Sequence, residues 1–422
     1  MEVKPATSRL HGALGPGGPV IRLAAALGIA LGLLSVFAHA LEYRGAERFS
    51  KDFAIDYSSA LALRHGEDPY LPIHDLVARY LHPPEEMLRH HILPGGNWHP
   101  PFKVAITVPF TYLSYRTAGV IWEILSAMCI ALALAMFGRE LGWSRRVAIV
   151  AGISACALPV AQIDLSAGQL NGPILLLLVL TWRSMRRSEG TRGGAWLGFA
   201  AALKFFPAFM ALPLLAMGRR RAFAIAVVTT IVLTGAGLLA AGPATAGGHL
   251  GALRNEGFSY WETSPANLSW WGFASRWLTS NGWVSGADLP VASQALAIIG
   301  AGAFALLALR APDGATGERF WAAVPLMLLA WPIVWNHYLL LAAPWVVLAV
   351  RRALDDGSRP RLVAVGVVSL VVVVGLPPGL AEINRASSTQ VALGYQLPTL
   401  GLLAAVALGL FSGRRVPAGA VP

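Results

Sequence analysis

The sequence predicts an all-α polytopic membrane protein, and its composition, run length and charge pattern all point the same way. Apolar residues make up 55% of the 422 residues and charged residues only 13%, whereas a soluble domain carries about 25% charged residues. Long apolar runs alternate with short basic connectors, as in proteins that cross a membrane many times. Because the formal charge of +11 lies in these connectors, and not in a basic strip with interleaved aromatics, the pattern argues against nucleic-acid binding.

The first apolar run covers residues 23–41 and follows Arg9 and Arg22. Ala38-His39-Ala40 resembles a signal-peptidase site, so cleavage is one interpretation. The run is roughly 19 residues long, against about 7–15 for the core of a signal peptide, and we therefore expect an uncleaved first helix. In either case residues 42–100 form a first large loop outside the cytoplasm.

The next apolar runs place basic clumps on alternate connections. Runs 120–138, 147–163 and 170–182 are separated in this way, which is the pattern of loops that stay in the cytoplasm. Run 194–217 has basic residues on both flanks, so a single crossing would put one clump on the wrong side. We predict two short helices that turn at Lys204-Phe205-Phe206-Pro207, because proline removes a helical donor.

Run 320–350 is also flanked by arginines on both sides, and we expect two crossings with Trp335-Asn336-His337-Tyr338 at the outer turn. Runs 222–241, 291–309, 362–376 and 397–411 are expected to be ordinary spans, and 102–113 a short re-entrant helix. The expected total is about twelve membrane segments in one domain, residues 1–422, with both termini cytoplasmic and a second large outer loop at 243–290.

This topology brings the unusual polar residues to one face. Charged and amide side chains at membrane depth are costly, and they are tolerated where they line a cavity or carry a function. The sequence therefore predicts a polar cavity that opens outward. The residues expected on that face are Asp52, Asp56, His99, Gln169, Asn171, Lys204, Asn267, Arg276, Asn336 and His337.

Asp52 and Asp56 follow the first span directly. If residues 52–63 are helical, the two carboxylates lie on one face at i and i+4. Close carboxylates raise one pKa, which suits a general base. The alternative is that Asp52 caps a helix and Asp56 is a solvated loop charge.

Three further stretches combine polar side chains with membrane helices. His99 precedes a diproline, and it either contacts a phosphate or sugar or serves as an interfacial aromatic. Gln169 and Asn171 open a helix, and they either cap it or bind sugar hydroxyls. Lys204 interrupts an apolar run, where it either binds a lipid phosphate or extends to ordinary headgroups.

Two more polar stretches lie further along the chain. Asn267 and Arg276 flank Trp270-Trp271, a mixture that suits a sugar platform, a phosphate clamp or an interfacial amphipathic helix. His337 lies between Trp335 and Tyr338, where it either holds a phosphate oxygen or is an interfacial histidine. The sequence has no motif for a nucleotide, and Cys129 and Cys156 have no metal-binding spacing, so neither a cofactor nor a metal is expected.

Taken in order, these stretches resemble the polyprenyl-phosphate-dependent glycosyltransferases of the GT-C class, and glycosyltransferase family 87 in particular. The likeness covers roughly residues 50–345. Three departures leave the sugar open: His99 replaces the usual aromatic, Tyr57 comes one place late, and Tyr338 replaces a second histidine. The stretches that carry the resemblance are Asp52–Tyr57, His99-Pro100-Pro101, Gly168–Asn171, Lys204–Pro207, Asn267 to Arg276, and Pro332–His337.

The resemblance implies a bacterial inner-membrane enzyme whose site faces the periplasm. It would transfer mannose, or alternatively arabinofuranose, from a polyprenyl-phosphate donor to a glycolipid or glycan, with inversion. Since such a displacement needs one base and cations for the departing phosphate, Asp52 is the expected base and Asp56 the fallback. Lys204, His337 and Arg276 are the expected phosphate ligands, and His99, Gln169, Asn171, Asn267 and Trp335 the expected sugar or acceptor contacts. A lipid-linked-sugar transporter and a structural envelope subunit are the competing classes; no inverted repeat supports the transporter.

Overall fold

The computed structural model describes residues 19–90, 96–242, 245, 247–251, 267–280, 289–310, 316–355, 357–370 and 399–407. Every regular element in these ranges is helical, and they contain no strand. The all-α prediction is therefore confirmed for the described part of the chain.

The helices of the first half surround the segment that follows the first span. The outer loop predicted at 42–100 is itself largely helical, which its polar composition did not indicate. In chain order the helices are α1 Pro19–Glu42, α2 Asp52–Arg64, α3 Ile73–Leu81, α4 Glu85–His90, α5 Pro101–Thr107, α6 Tyr115–Glu140, α7 Arg145–Ser154, α8 Pro159–Ala167 and α9 Asn171–Arg186.

The second half continues the bundle with shorter and interrupted helices. Short 3-10 turns stand at the interruptions, among them Phe206–Met210 and Asn336–Ala342. The helices are α10 Gly190–Leu203, α11 Ala211–Ala216, α12 Arg220–Ala241, α13 Trp270–Ser280, α14 Leu289–Arg310, α15 Thr316–Ala330, α16 Ala343–Asp355 and α17 Arg359–Ser369.

Four segments are long and apolar enough to cross a membrane: Val20–Glu42, Tyr115–Glu140, Arg220–Ala241 and Asn336–Asp355. A fifth is the pair α7 and α8, which bends by 63° at its break. The run 147–163, predicted as one span, is therefore a broken one, because Pro159 begins a new helix after the extended Leu158. The chain is a multi-pass membrane protein by length and composition of its helices, and the total of twelve segments stays a prediction.

The break predicted near Lys204 is confirmed. Helix α10 ends at Leu203, Lys204 has extended backbone, and the chain resumes in the turn Phe206–Met210, whose second residue is Pro207. The extended backbone at Lys204 ends the helical hydrogen bonds of α10 and turns the chain. Lys204 therefore lies at the turn between two short helices.

The two basic flanks of this broken pair lie together. Residues 188–192 and 218–222 line one surface cavity of about 620 Å³, so α10 leads away from that end and α11 returns to it. Glycines allow α10 and α12 to pack side by side in a parallel direction, as small residues do between membrane helices. The facing residues are Gly190, Gly194 and Gly198 on α10 and Ala222, Ala226 and Thr229 on α12.

A second break, after α15, is likewise where the sequence predicts it. Helix α15 ends at Ala330, and residues 331–335 connect it to the 3-10 turn that begins at Asn336. His337 and Tyr338 are buried in that turn. Both predicted breaks thus deliver polar side chains to the interior of the bundle.

Parts of several predictions lie outside the described residues. More than half of the outer loop 243–290 falls there, since only 245, 247–251, 267–280 and 289–290 are described. Residues 371–376 of run 362–376 and both ends of run 397–411 fall there as well. The termini and the side of the membrane that each loop faces stay predictions.

Candidate active site

A cavity of about 320 Å³ brings together residues from six separate segments of the chain. Six of the ten predicted site residues line it: Asp52, His99, Gln169, Lys204, Trp335 and His337. The predicted convergence of polar side chains on one cavity therefore holds for these six. The remaining lining residues are Ile55, Ile73, Gly96, Asn97, Trp98 and Tyr338.

Asp52, Gln169 and Lys204 form one hydrogen-bonded chain at the cavity wall. The Nε2 atom of Gln169 donates to the Oδ2 atom of Asp52, and the Nζ atom of Lys204 donates to the Oε1 atom of Gln169 over 2.9 Å. Burial raises the pKa of the Asp52 carboxyl above its ordinary value, while the Lys204 charge lowers it and the Asp56 charge raises it. The base candidate and the cation candidate are thus connected through one amide.

The position of Gln169 is fixed by the turn between α8 and α9. Gly168 ends α8 with φ of 66°, a left-handed conformation that glycine adopts without strain. The indole Nε1 of Trp122 donates to the Gly168 carbonyl over 3.0 Å. A Cβ atom at this position would lie 3.0 Å from Phe53 Cβ and 3.1 Å from the Tyr43 hydroxyl oxygen, so the turn has no room for a larger residue.

Asn171 does not line the cavity. Its Nδ2 atom donates to Asp164 Oδ1 over 2.7 Å, and the backbone N–H of Gly172 donates to the other oxygen over 3.3 Å. Asp164 and Asn171 are both fully buried. This pair holds the start of α9 against α8. Asp164, and not Asn171, accepts the backbone N–H at the helix start, so Asn171 does not cap the helix, and its contact with sugar stays a prediction. The sequence signal for Asp164 was a carboxylate at the end of an apolar run, and the residue was not singled out.

Asp56 lies behind the cavity wall, between the side chains of His99 and Lys103. His99 donates from Nδ1 to Asp56 Oδ1 over 2.7 Å, and Lys103 Nζ lies 3.1 Å from Asp56 Oδ2. Burial alone would raise the pKa of Asp56, but His99 and Lys103 together hold it well below its ordinary value. A carboxylate held in this way is a weak proton acceptor. Asp56 is buried and orients His99, so it is not a solvated loop charge.

His99 lines the cavity, and its Nδ1 atom is engaged by Asp56. Its orientation is fixed by Asp56 and by its own backbone, whose N–H bonds Asn97 Oδ1 over 2.9 Å and whose carbonyl accepts from the Tyr70 hydroxyl over 2.9 Å. Burial lowers the pKa of the imidazole, and Asp56 acts against that effect. Sequence reasoning singled out His99 but missed Lys103, a fully buried lysine whose place inside an apolar stretch was the available signal.

Lys204 and His337 approach the cavity from the two helix breaks. The Lys204 ammonium lies 4.1 Å above the ring of Tyr338, and Phe206 stacks on that ring at 5.1 Å. His337 is buried, and its Nε2 atom has no hydrogen-bond partner among the described residues. The aromatic rings hold a cation at the wall, beside a buried imidazole nitrogen that no described protein group engages.

Asn267 and Arg276 stand behind this wall and do not line the cavity. Asn267 donates from Nδ2 to the Pro332 carbonyl over 2.9 Å and accepts from the Val334 N–H over 3.1 Å. Arg276 donates from Nη1 to the Asn267 carbonyl over 2.9 Å. Both side chains therefore support the segment 331–335 that carries Trp335, and their predicted contacts with phosphate or sugar stay predictions.

The same segment is bonded to the C-terminal part of the chain. The backbone N–H of Leu268 donates to the Val334 carbonyl over 2.7 Å. The Thr399 hydroxyl donates to the Leu268 carbonyl over 2.8 Å. Leu268 thus bonds to two residues that lie 334 − 268 = 66 and 131 positions further along the chain. No local motif indicates this long-range relationship.

The cavity combines a proton acceptor, a cation and oriented imidazoles, which are the groups needed to displace a sugar from a phosphate. The sequence pattern of glycosyltransferase family 87 matches residues 97–332, more than half of the chain. The chain belongs to glycosyltransferase family 87. The predicted resemblance is confirmed, and the protein is a glycosyltransferase of the membrane type. Asp52 and His337 lie outside the matched range, and the cavity places them beside residues within it.

One curated relative is 25% identical over 315 residues, which cover 73% of this chain and 70% of the relative. It is the polyprenol-phosphate-mannose-dependent alpha-(1-2)-phosphatidylinositol pentamannoside mannosyltransferase of Mycobacterium tuberculosis (strain CDC 1551 / Oshkosh). The chain is similar to this enzyme over most of both lengths.

Proposed function

We propose that this glycosyltransferase moves mannose from a polyprenyl-phosphate donor to a glycolipid or glycan acceptor at the outer face of the bacterial inner membrane, with inversion. The named activity of the mycobacterial relative supports the donor and the sugar. The observation that carries the proposal is the chain from Asp52 through Gln169 to Lys204 at the wall of one cavity. A base and a phosphate-binding cation are both present where a single displacement needs them.

In the proposed step, the acceptor hydroxyl oxygen attacks the anomeric carbon on the face opposite the phosphate. The bond between the anomeric carbon and the phosphate oxygen breaks, and its electron pair leaves with the polyprenyl phosphate. Asp52 takes the hydroxyl proton, and Lys204 and His337 stabilise the negative charge that develops on the phosphate. The raised pKa of Asp52 brings it closer to neutral pH, which strengthens it as a base.

The surroundings favour Asp52 over Asp56 as this base. Asp52 lines the cavity, whereas both oxygens of Asp56 are engaged by His99 and Lys103. We assign His99 and Trp335 to the sugar or the acceptor because both line the cavity. We also propose that neither a metal nor a cofactor takes part, since Lys204 and His337 provide the stabilisation of the phosphate.

In the test, labelled polyprenyl-phosphate mannose or polyprenyl-phosphate arabinose is added to the purified protein together with candidate glycolipid acceptors. Each reaction is run with and without a chelator. We expect mannosylated product with inverted anomeric configuration, in the presence of chelator as well. Asp52→Asn keeps the shape but cannot take the proton, and turnover should fall at least about a hundredfold. Arabinosylated product would show that the transferred sugar is arabinose and not mannose. Movement of the donor across vesicles without a new glycosidic bond would indicate a transporter instead.

A further inference from the structure

Gln169 uses both ends of its amide within the site. A lysine ammonium only donates hydrogen bonds and an ionised carboxylate only accepts them, so the amide has one orientation that satisfies both neighbours. Its oxygen faces Lys204 over 2.9 Å and its nitrogen faces Asp52. Since both polar ends are occupied by protein, Gln169 is poorly suited to the sugar contact that its sequence position suggested.

Lys204 also faces the space where a donor phosphate would lie, because it lines the cavity beside His337. An anion that binds Lys204 offsets the positive charge that otherwise acts on the carboxylate, and Gln169 holds the two charged groups in place for this interaction. The carboxylate then loses part of the interaction that favours its ionised form. The geometry therefore connects occupancy of the phosphate position with the proton affinity of the base.

We propose that Gln169 is a positioning residue that fixes the Asp52 carboxylate and links it to Lys204, so that an anionic phosphate bound at Lys204 makes Asp52 a stronger base. The proposal rests on the proposed function, because it assigns the donor phosphate to Lys204. It gives the enzyme an order: the base reaches full strength only when the donor is in place.

Other charged and titratable groups also act on Asp52, and the test has to separate them from Gln169. Asp56 lies on the same helix and raises the pKa of Asp52, while burial raises it most and Lys204 lowers it. Tyrosines from three other segments and two cavity imidazoles face the same region. These groups are Tyr43, Tyr115, Tyr338, His99 and His337.

The test measures binding of a prenyl phosphate monomethyl ester, a diester with a single negative charge across the pH range. If phosphate at Lys204 raises the proton affinity of Asp52, binding takes up a proton and affinity rises as pH falls. If the pKa of Asp52 is one unit higher in the complex than in the free protein, binding of the ester is about tenfold tighter below the transition than above it. We expect this pH dependence in the unmodified protein and a clearly weaker one in Gln169→Met, which keeps the length of the side chain but no longer fixes the Asp52 carboxylate relative to Lys204.

Gln162→Met is the matched control. Gln162 lies on α8, less than two turns before Gln169, and its amide donates to the Ala157 carbonyl over 3.0 Å without lining the cavity. The Gln162→Met variant should keep the pH dependence of binding. Gln169→Glu is a second variant of the same shape: its carboxylate accepts from Lys204 but repels ionised Asp52, so the transition should move to higher pH.

An affinity that does not change with pH in the unmodified protein, or one that changes equally in Gln169→Met, overturns the proposal. Equal loss in Gln162→Met overturns it as well, because the effect is then not specific to the bridge. Failure of the proposed function has a different signature: the unmodified protein would transfer no sugar from a polyprenyl-phosphate donor, whatever the binding result.

Discussion

Asp56 and His99 form a buried pair in which the imidazole Nδ1 lies 2.7 Å from the carboxylate Oδ1. Lys103, which is fully buried, lies 3.1 Å from the other oxygen. Asp56 therefore neutralises a lysine that has no access to water. This arrangement predicts that Asp56 and Asp52, one helical turn apart, respond to the same substitution in opposite ways.

Asp56→Asn should destabilise the fold, since removing one partner leaves the Lys103 charge buried. We expect a loss on the order of 3 kcal/mol in the free energy of unfolding, measured by denaturation in detergent. Asp52→Asn should change the free energy of unfolding little. Its turnover should fall at least about a hundredfold, with donor still bound. In the folded fraction of Asp56→Asn, turnover should fall less. Asp75→Asn, at an exposed carboxylate, is the control. If Asp52→Asn keeps turnover and Asp56→Asn loses it, the assignment of the base passes to Asp56.

The pH dependence of sugar transfer should show the raised pKa of Asp52. Because the base acts in its ionised form, activity falls as pH is lowered through its pKa. That decline should begin at a higher pH than the value of about 3.9 for an ordinary aspartate would give. Initial rates at sub-saturating acceptor between pH 4.5 and 8 measure it. Activity that stays constant down to pH 4.5 contradicts the assignment.

Lys204→Ala should weaken donor binding, because a desolvated phosphate loses its charged partner. A charge-assisted contact is worth about 1.5–3 kcal/mol, or roughly ten- to a hundredfold in affinity. Lys204→Arg should recover part of the loss. The readout is the donor concentration that gives half-maximal rate. Arg79→Ala removes an exposed cation that pairs with Glu67 and should have no effect. An unchanged donor requirement in Lys204→Ala would return Lys204 to contacts with ordinary headgroups.

The position of each loop can be tested with single cysteines in a variant that lacks Cys129 and Cys156. Cysteines at His74 and Glu86, which are exposed on α3 and α4, should react with an impermeant reagent in intact cells. Cysteines at Arg192 and Arg220, at the joined flanks of α10 and α12, should react only after the membrane is opened. Labelling of residue 220 from outside would contradict the predicted orientation.

The glycine contact between α10 and α12 predicts a contrast between two alanine substitutions. A Cβ atom at Gly194 would collide with the Ala222 carbonyl, whereas Gly235 on α12 has open space around it. Gly194→Ala should destabilise by about 1–3 kcal/mol through overpacking. Gly235→Ala should be neutral or stabilising, since alanine favours a helix. Thermal unfolding of both variants measures the difference. Equal effects would show that the close contact is not required.

Local sequence signals predicted the helix breaks and much of the cavity. Proline after Lys204 and the polar tetrapeptide at Trp335 indicated the two breaks because each interrupts an apolar run. Helix α2 meets the condition under which the spacing of Asp52 and Asp56 puts both carboxylates one turn apart. These features depend on neighbours in the chain, which a sequence displays directly.

The partners of these residues could not be predicted, because they come from distant segments. The amide of Gln169 reaches Asp52 across 117 positions, and Lys103 pairs with Asp56 only after α5 has packed on α2. Asn267 and Arg276 were predicted at the cavity from their chemistry alone. The structure places them behind it, where the broken backbone at Pro332 and Val334 needs hydrogen-bond partners.

The bond from Thr399 to Leu268, and from Leu268 to Val334, has a consequence for how the enzyme is made. Residue 399 leaves the ribosome after every residue that lines the cavity. A nascent chain halted before this point already contains Asp52 and Lys204, but the segment that presents His337 lacks its C-terminal anchor. Full assembly of the cavity wall around His337 therefore waits for insertion of the segment that carries residue 399, so the cavity is completed only after that segment has been made.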